Sequence, residues 1–210
     1  MYILAFLTSF EHKCQTIVEN KFKTAIALFD KANTKDPHTE ISDGTAYPKE
    51  LLYAMRMTEK LNLFEPNASE AVQLAVRCQH ICRWEIPRDA YEMNRKGYLT
   101  WRKGLAKFHA KKAAEILKEV GYDDALINKV TFLLQKKQLK RNEETQLLED
   151  VICLVFLDFY FEKFSKKYAE EKLIDIVQKT WAKMSKKGHK AALQLNFSKE
   201  SSALIKKALA

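Results

Sequence analysis

Two histidines and one aspartate are the residues best placed to do chemistry in this sequence. Asp150 lies in LLEDVICLVFL, a stretch apolar on nearly every face, where a helical wheel puts Leu147, Cys153, Leu154, Leu157 and Phe161 around it. A carboxylate is costly to bury there unless it is paired, protonated or metal-bound, so Asp150 calls for a partner. That partner is either a metal or a structural group, such as an arginine or a helix cap. His109 shares an inward stripe with Leu105, Ala106, Ala113, Ile116 and Val120, as a ligand or as a satisfied core histidine. His80 falls on a more polar face with Gln73, Arg77, Arg83 and Trp84, which suits a cleft wall or plain solvent exposure.

Two imidazoles and a carboxylate from three helices match a divalent metal such as Mn, Ni, Zn, Fe or Mg. Such an ion lowers the pKa of a bound water and polarises a phosphoryl oxygen. Glu149 or Glu85 would then supply a base or an outer contact. Arg83, Arg88, Arg95 and Arg102, with Lys96 and Trp84, would hold a phosphorylated substrate through forked hydrogen bonds. The same arginines would equally fasten a loop through surface salt bridges. Cys78 and Cys82 flank His80 one helical turn apart, but no second ligand pair with finger-like spacing follows.

These residues need helices to position them, and the composition favours helices. Only 5 glycines and 4 prolines occur in 210 residues, with Lys, Glu, Leu and Ala abundant. The chain is 47% hydrophobic and 30% charged, as for an ordinary globular protein. An all-α fold of seven to eight helices follows, with residues 18–210 forming one domain. Residues 1–17 are expected to be an extension ahead of it, poorly ordered or an alternative start. MYILAFLTSF lacks a basic flank and a cleavage site, and is far short of the roughly 20 apolar residues of a membrane span. Four cysteines without a dense spaced framework fit reduced thiols in a cytoplasmic protein. The net charge of +9 favours anionic partners, nucleotide or RNA, without choosing among them.

The punctuation places the helices. A first runs from Val18 to Ala32, with Phe22, Ile26 and Phe29 on one face. Asn33–Tyr47 is polar and carries the turn dipeptides Asp36-Pro37 and Asp43-Gly44. Pro48 opens a second helix to Phe64, and Ser69 or Asn67 caps a third to Trp84. Glu85–Thr100 reads as an Arg-rich loop. A fourth helix spans Leu99–Val120 and stops at Gly121; a fifth runs from Asp123 or Asp124 to Lys137. Asn142 caps the apolar sixth, Tyr168–Met184 forms a seventh with Gly188 as its stop, and Ser198 caps a last helix.

The strings YPKELLYAMRMTEKL, CQHICRWEIPR, GYLTWRKGLAKFHAKKAAEIL and LLEDVICLVFL resemble a bacterial and fungal family catalogued as domain of unknown function 4202, from about Lys21 to the C-terminus. That resemblance implies no particular chemistry. A fainter likeness is to the HD-domain metal-dependent phosphohydrolases. CQHICRW stands where their His-Asp doublet would be, FHAKKAAEIL resembles a later His segment, and LLEDVICL resembles the closing Asp segment. The likeness implies His80, His109 and Asp150 as metal ligands. The sequence departs from that pattern with Ile81 at the doublet's Asp, Tyr53 or Met55 at the early His, and Gln135–Lys137 at a further His. Lys183–Lys187, KMSKK, looks like the KMSKS loop of class I aminoacyl-tRNA synthetases, but the companion His-x-Gly-His motif is missing. Two functional expectations result. One is a metal-dependent phosphohydrolase acting on a nucleotide or other phosphorylated small molecule. The other is a non-catalytic helical protein that binds a phosphate-bearing ligand or RNA through Arg and Lys.

Overall fold

The computed structural model describes residues 20–210, so the expected 1–17 extension and the start of the first helix lie outside the described residues. The fold is predominantly helical. Ten α-helical segments occur among the described residues: α1 (20–33), α2 (Lys49–Phe64), α3 (Glu70–Arg77), α4 (Arg95–Val120), α5 (Asp124–Leu134), α6 (Glu143–Val155), α7 (Phe161–Ser165), α8 (Glu170–Lys183), α9 (Lys186–Ala192) and α10 (Lys199–Leu209). No helix among them is long and apolar enough to cross a membrane.

The described residues form two compact units that interleave in sequence. The first comprises 20–54 and 69–135, the second 55–68 and 136–210. In the first, α5 packs against both α3 and α4. Phe29, Val72, Leu74, Val76, Leu117 and Leu133 are fully buried there. In the second, Leu154, Leu157, Phe161, Val177, Met184 and Ile205 share a core to which α6, α8, α9 and α10 contribute. A π-helical turn, Phe156–Tyr160, carries α6 on towards α7.

Local chemistry explains most boundaries. Ser69, Asn94, Asp123, Asn142 and Ser198 each accept a backbone N–H from the first turn that follows. Gly121 ends α4 at φ +87, a conformation that favours glycine. Asn142 holds both the N–H and the hydroxyl of Thr145, which is fully buried. Asn142→Ala orphans both, and is expected to lower stability by about 1–2 kcal/mol in chemical denaturation.

Four boundaries differ from the sequence expectation. The polar stretch after α1 holds a hairpin, β1 (Thr39–Ser42) paired antiparallel with β2 (Thr45–Pro48). Asp43 and Gly44 turn it, at φ +50 and +76, as an Asp-Gly hairpin requires. Helix α3 stops at Arg77 rather than Trp84, because the chain at Cys82 turns left-handed and its N–H donates to Asn33 Oδ1 at 3.0 Å. Helix α4 begins at Arg95 rather than Leu99. Gly97 permits this, since a Cβ there would lie 2.1 Å from the Glu92 carbonyl oxygen. Gly188 is not a stop but sits inside α9, for a reason found at Asp150.

A candidate site in the first unit

The stripe that brings His109 inward is Trp101, Leu105, His109, Ala113 and Leu117 on α4, one turn apart and all buried. The His109 Nδ1 lies 2.5 Å from the carbonyl oxygen of Gln79. A carbonyl only accepts, so Nδ1 carries the proton. Desolvation first, then the charges of Arg83 and Arg102, push the His109 pKa down to about 3. The ring is therefore neutral at pH 7 and Nε2 is a bare acceptor. That atom is buried and has no hydrogen-bond partner among the described residues, and neither has the Gln79 side-chain oxygen.

His80 stands edge-on to His109, with ring centroids 5.8 Å apart. Its other face stacks on Tyr53 at 4.0 Å. Arg83 donates to His80 Nε2 at 3.1 Å, which leaves Nδ1 protonated and donating to Glu50 Oε2 at 3.1 Å. Glu50 is held by the segments before it: its N–H donates to Asp36 Oδ2 and its carbonyl accepts from Asn33. Burial pushes the Glu50 carboxyl up to about 7, against the lowering effect of Arg83 and Lys49. Arg83 Nε is 3.9 Å from Glu50 Oε1, and its guanidinium lies over the Trp101 ring at 4.8 Å. Trp101 is fixed in turn by donating Nε1–H to the Ile86 carbonyl at 2.9 Å. Glu50 and His109, both buried, and the half-buried His80 and Arg83 thus form one polar cluster with two strongly perturbed groups, a pattern that marks functional sites.

A family model described as Domain of unknown function (DUF4202) matches residues 23–205. The chain belongs to the DUF4202 family. No curated protein and no solved structure matches it.

The residues singled out in the sequence of this DUF4202 chain fall in different places. His80 and His109 meet in the first unit. Asp150 belongs to the second, where Ser185 N–H and Oγ donate to it at 2.7 and 2.5 Å and Gln146 donates at 3.0 Å. It organises the corner between α8 and α9, the helix-cap alternative foreseen for it. A Cβ at position 188 would lie 2.7 Å from Asp150 Oδ1, so the corner closes only with glycine. The KMSKK segment is this corner: Met184 is buried and Ser185 caps α9.

His109 offers a free nitrogen, but both His80 nitrogens and both Asp150 oxygens are engaged. No group of three or more His, Cys, Asp or Glu side chains is gathered to hold a metal among the described residues. Cys78 and Cys82 do not join His80 as ligands, and burial keeps both protonated, with the Cys82 thiol pushed up to about 11.

Of the two expected acid–base residues, Glu149 is buried and paired with Lys136 in the second unit. Glu85 is exposed and pairs with Lys112 at 3.2 Å, on the wall of a groove of about 400 Å³ that Trp84 also lines. Arg88 is committed to the carbonyls of Tyr91, Glu92 and Asn94, and so fastens its loop. Arg95 and Lys96 are exposed, and they open α4 with no acidic residue in its first turn, against the helix dipole. Arg102 is half-buried near Arg83 and His109. Sequence reasoning missed Glu50 and Trp101. Glu50 carried the ordinary signature of an acidic first turn, and Trp101 that of a core aromatic.

Proposed function

We propose that the first unit binds a phosphate-bearing small molecule at the cluster of Glu50, His80, Arg83 and His109. The observation that carries this reading is His109 Nε2, a buried, unprotonated acceptor with no partner among the described residues, near two guanidinium groups. A buried polar atom left unpaired costs roughly 1–3 kcal/mol, so such an atom points to a donor supplied from outside. A phosphate monoester brings both halves. Bound as the monoanion, it keeps one P–O–H that donates to Nε2, and its anionic oxygens meet Arg83 and Arg102. Glu50, poised near neutrality behind His80, lets the cluster adjust its charge to the ligand.

Calorimetric titration with nucleoside monophosphates and sugar phosphates tests this. Phosphorylated compounds should bind, their dephosphorylated parents should not, and Arg102→Gln and His109→Gln should each weaken binding about tenfold or more. Equal affinity for a nucleoside and its phosphate, or indifference to both substitutions, would refute it. Binding that needs an RNA oligonucleotide and falls steeply with salt would instead favour the nucleic-acid alternative.

A second reading, metal-dependent hydrolysis of a phosphate ester, is supported by the geometry of His109. A ring anchored through Nδ1–H to a carbonyl with Nε2 bare is how metal-ligating histidines are held. The order of His80, His109 and Asp150 also resembles that of the HD-domain enzymes. Phosphate release that requires added Mn²⁺ and vanishes in His109→Gln would establish this reading; no release with any divalent ion would exclude it.

A further inference from the structure

We propose that the loop Lys136–Arg141 of the second unit is a binding site for a terminal phosphate group, separate from the cluster in the first unit. Lys136, Gln138 and Lys140 have φ of +52, +55 and +75, and Lys137, Leu139 and Arg141 between them do not share that region. None is glycine, and each left-handed residue with a side chain is a strained choice. Successive residues that alternate between right- and left-handed turn conformations turn their N–H groups towards one side, the concavity known as a nest, which takes anions. The N–H groups of Gln138, Leu139 and Lys140 make no hydrogen bond to the described residues. Those of Arg141 and Asn142 close the loop by donating to the Gln138 carbonyl at 2.8 and 2.9 Å.

Lys140 and Arg141 add two exposed cations to this six-residue loop. Lys136 neutralises the buried Glu149, so that carboxylate does not oppose an anion. Lys140 Nζ lies 3.4 Å from the Met184 carbonyl and Gln146 holds the Lys183 carbonyl at 2.9 Å. These two bonds bring the loop beside the corner that carries the exposed Lys183 and Lys186.

The geometry also selects the ligand. Three adjacent N–H groups match the three terminal oxygens of a phosphate monoester, whereas a diester presents two. Glu143 and Glu144 follow in the first turn of α6 and disfavour a long polyanion. The ligand class is therefore a small molecule with a terminal phosphate, not a nucleic-acid backbone.

The test uses the full chain, labelled with ¹⁵N and titrated with inorganic phosphate, ribose 5-phosphate and ribose at matched ionic strength. The amide resonances of Gln138, Leu139 and Lys140 should shift saturably with the first two and not with ribose or added chloride. Arg141→Ala should weaken this binding at least fivefold, and Leu139→Pro, which deletes the central N–H, should abolish it. Gln138→Gly keeps the N–H and the left-handed backbone, so it should bind within about twofold of wild type and shows that an altered loop still functions if the proline variant misfolds. Three results would overturn the proposal: amides 138–140 that do not move, unchanged affinity in Arg141→Ala, or tighter binding of an RNA lacking a terminal phosphate than of ribose 5-phosphate. Because the readout is local to this loop, it is independent of binding at His109.

Discussion

Gly188→Ala should destabilise the protein by about 3 kcal/mol, and Asp150→Ala by a similar amount, yet the double variant should lose clearly less than the two combined. A methyl group on residue 188 meets Asp150 Oδ1 at 2.7 Å and its carboxyl carbon at 2.8 Å, so the carboxylate or α9 must shift. Either shift disturbs the bonds from Ser185 N–H and Oγ to the carboxylate. Removing the carboxylate instead leaves the Ser185 N–H and the Gln146 amide in search of acceptors in a partly buried corner. In the double variant the methyl group occupies space the carboxylate has vacated, so part of the first penalty disappears. Chemical denaturation of the four proteins measures the coupling. Additive losses would show that Asp150 and Gly188 do not share one corner.

The second large effect is in the pH dependence of stability, where Glu50 and His109 act in opposite directions. Glu50 has its folded pKa raised from 4.5 to about 7, so its contribution is full below 4.5 and is lost as pH rises through 7. His109 has its folded pKa lowered from 6.5 to about 3, so its contribution is full above 6.5 and is lost as pH falls towards 3. Between pH 4.5 and 6.5 one group takes up a proton on folding and the other gives one up, and their slopes cancel. Each slope alone amounts to about 1.4 kcal/mol per pH unit. Glu50→Gln unmasks His109, so relative to wild type its stability should fall as pH drops from 6.5 to 4.5, by roughly 2–3 kcal/mol in all. His109→Gln unmasks Glu50, and relative to wild type its stability should fall by a similar amount as pH rises over the same window. Other titrating groups contribute equally to all three proteins and drop out of the differences. Two variants running parallel to wild type would mean that neither group is buried in the way described.

The opposition between these two groups illustrates what the sequence could disclose. His109 was legible because its surroundings are local: apolar residues a turn away on one helix put the ring inside. Asp150 was legible in the same way, as was its need for a partner. Its partner was not, since Ser185 lies 35 residues on and the corner it caps depends on α8 and α9 packing against α6. Asn142, Ser69 and Ser198 were readable as caps because a cap and the amide it satisfies are within one turn. Glu50 was hidden because its backbone is held by Asp36 and Asn33, at the far end of a hairpin whose turn was visible and whose four-residue strands were not. His80 was assigned to a polar face, and the face is polar. The helix carrying it ends early at Arg77, however, and the turn that follows puts the ring between Tyr53 and His109 rather than in solvent.

The proposed role of His109 is to present a bare Nε2 to a phosphate-bearing ligand. Nitrogen NMR of the imidazole side chains reads that atom directly. At pH 7, before ligand is added, His109 should be the neutral Nδ1–H tautomer, with its Nε2 resonance in the unprotonated range and unchanged down to about pH 4, as its depressed pKa requires. Addition of a nucleoside monophosphate should move that resonance saturably, by hydrogen bonding to Nε2, while the parent nucleoside leaves it in place. A protonated Nε2 in the free protein, or an Nε2 signal indifferent to saturating phosphorylated ligand, would contradict the account.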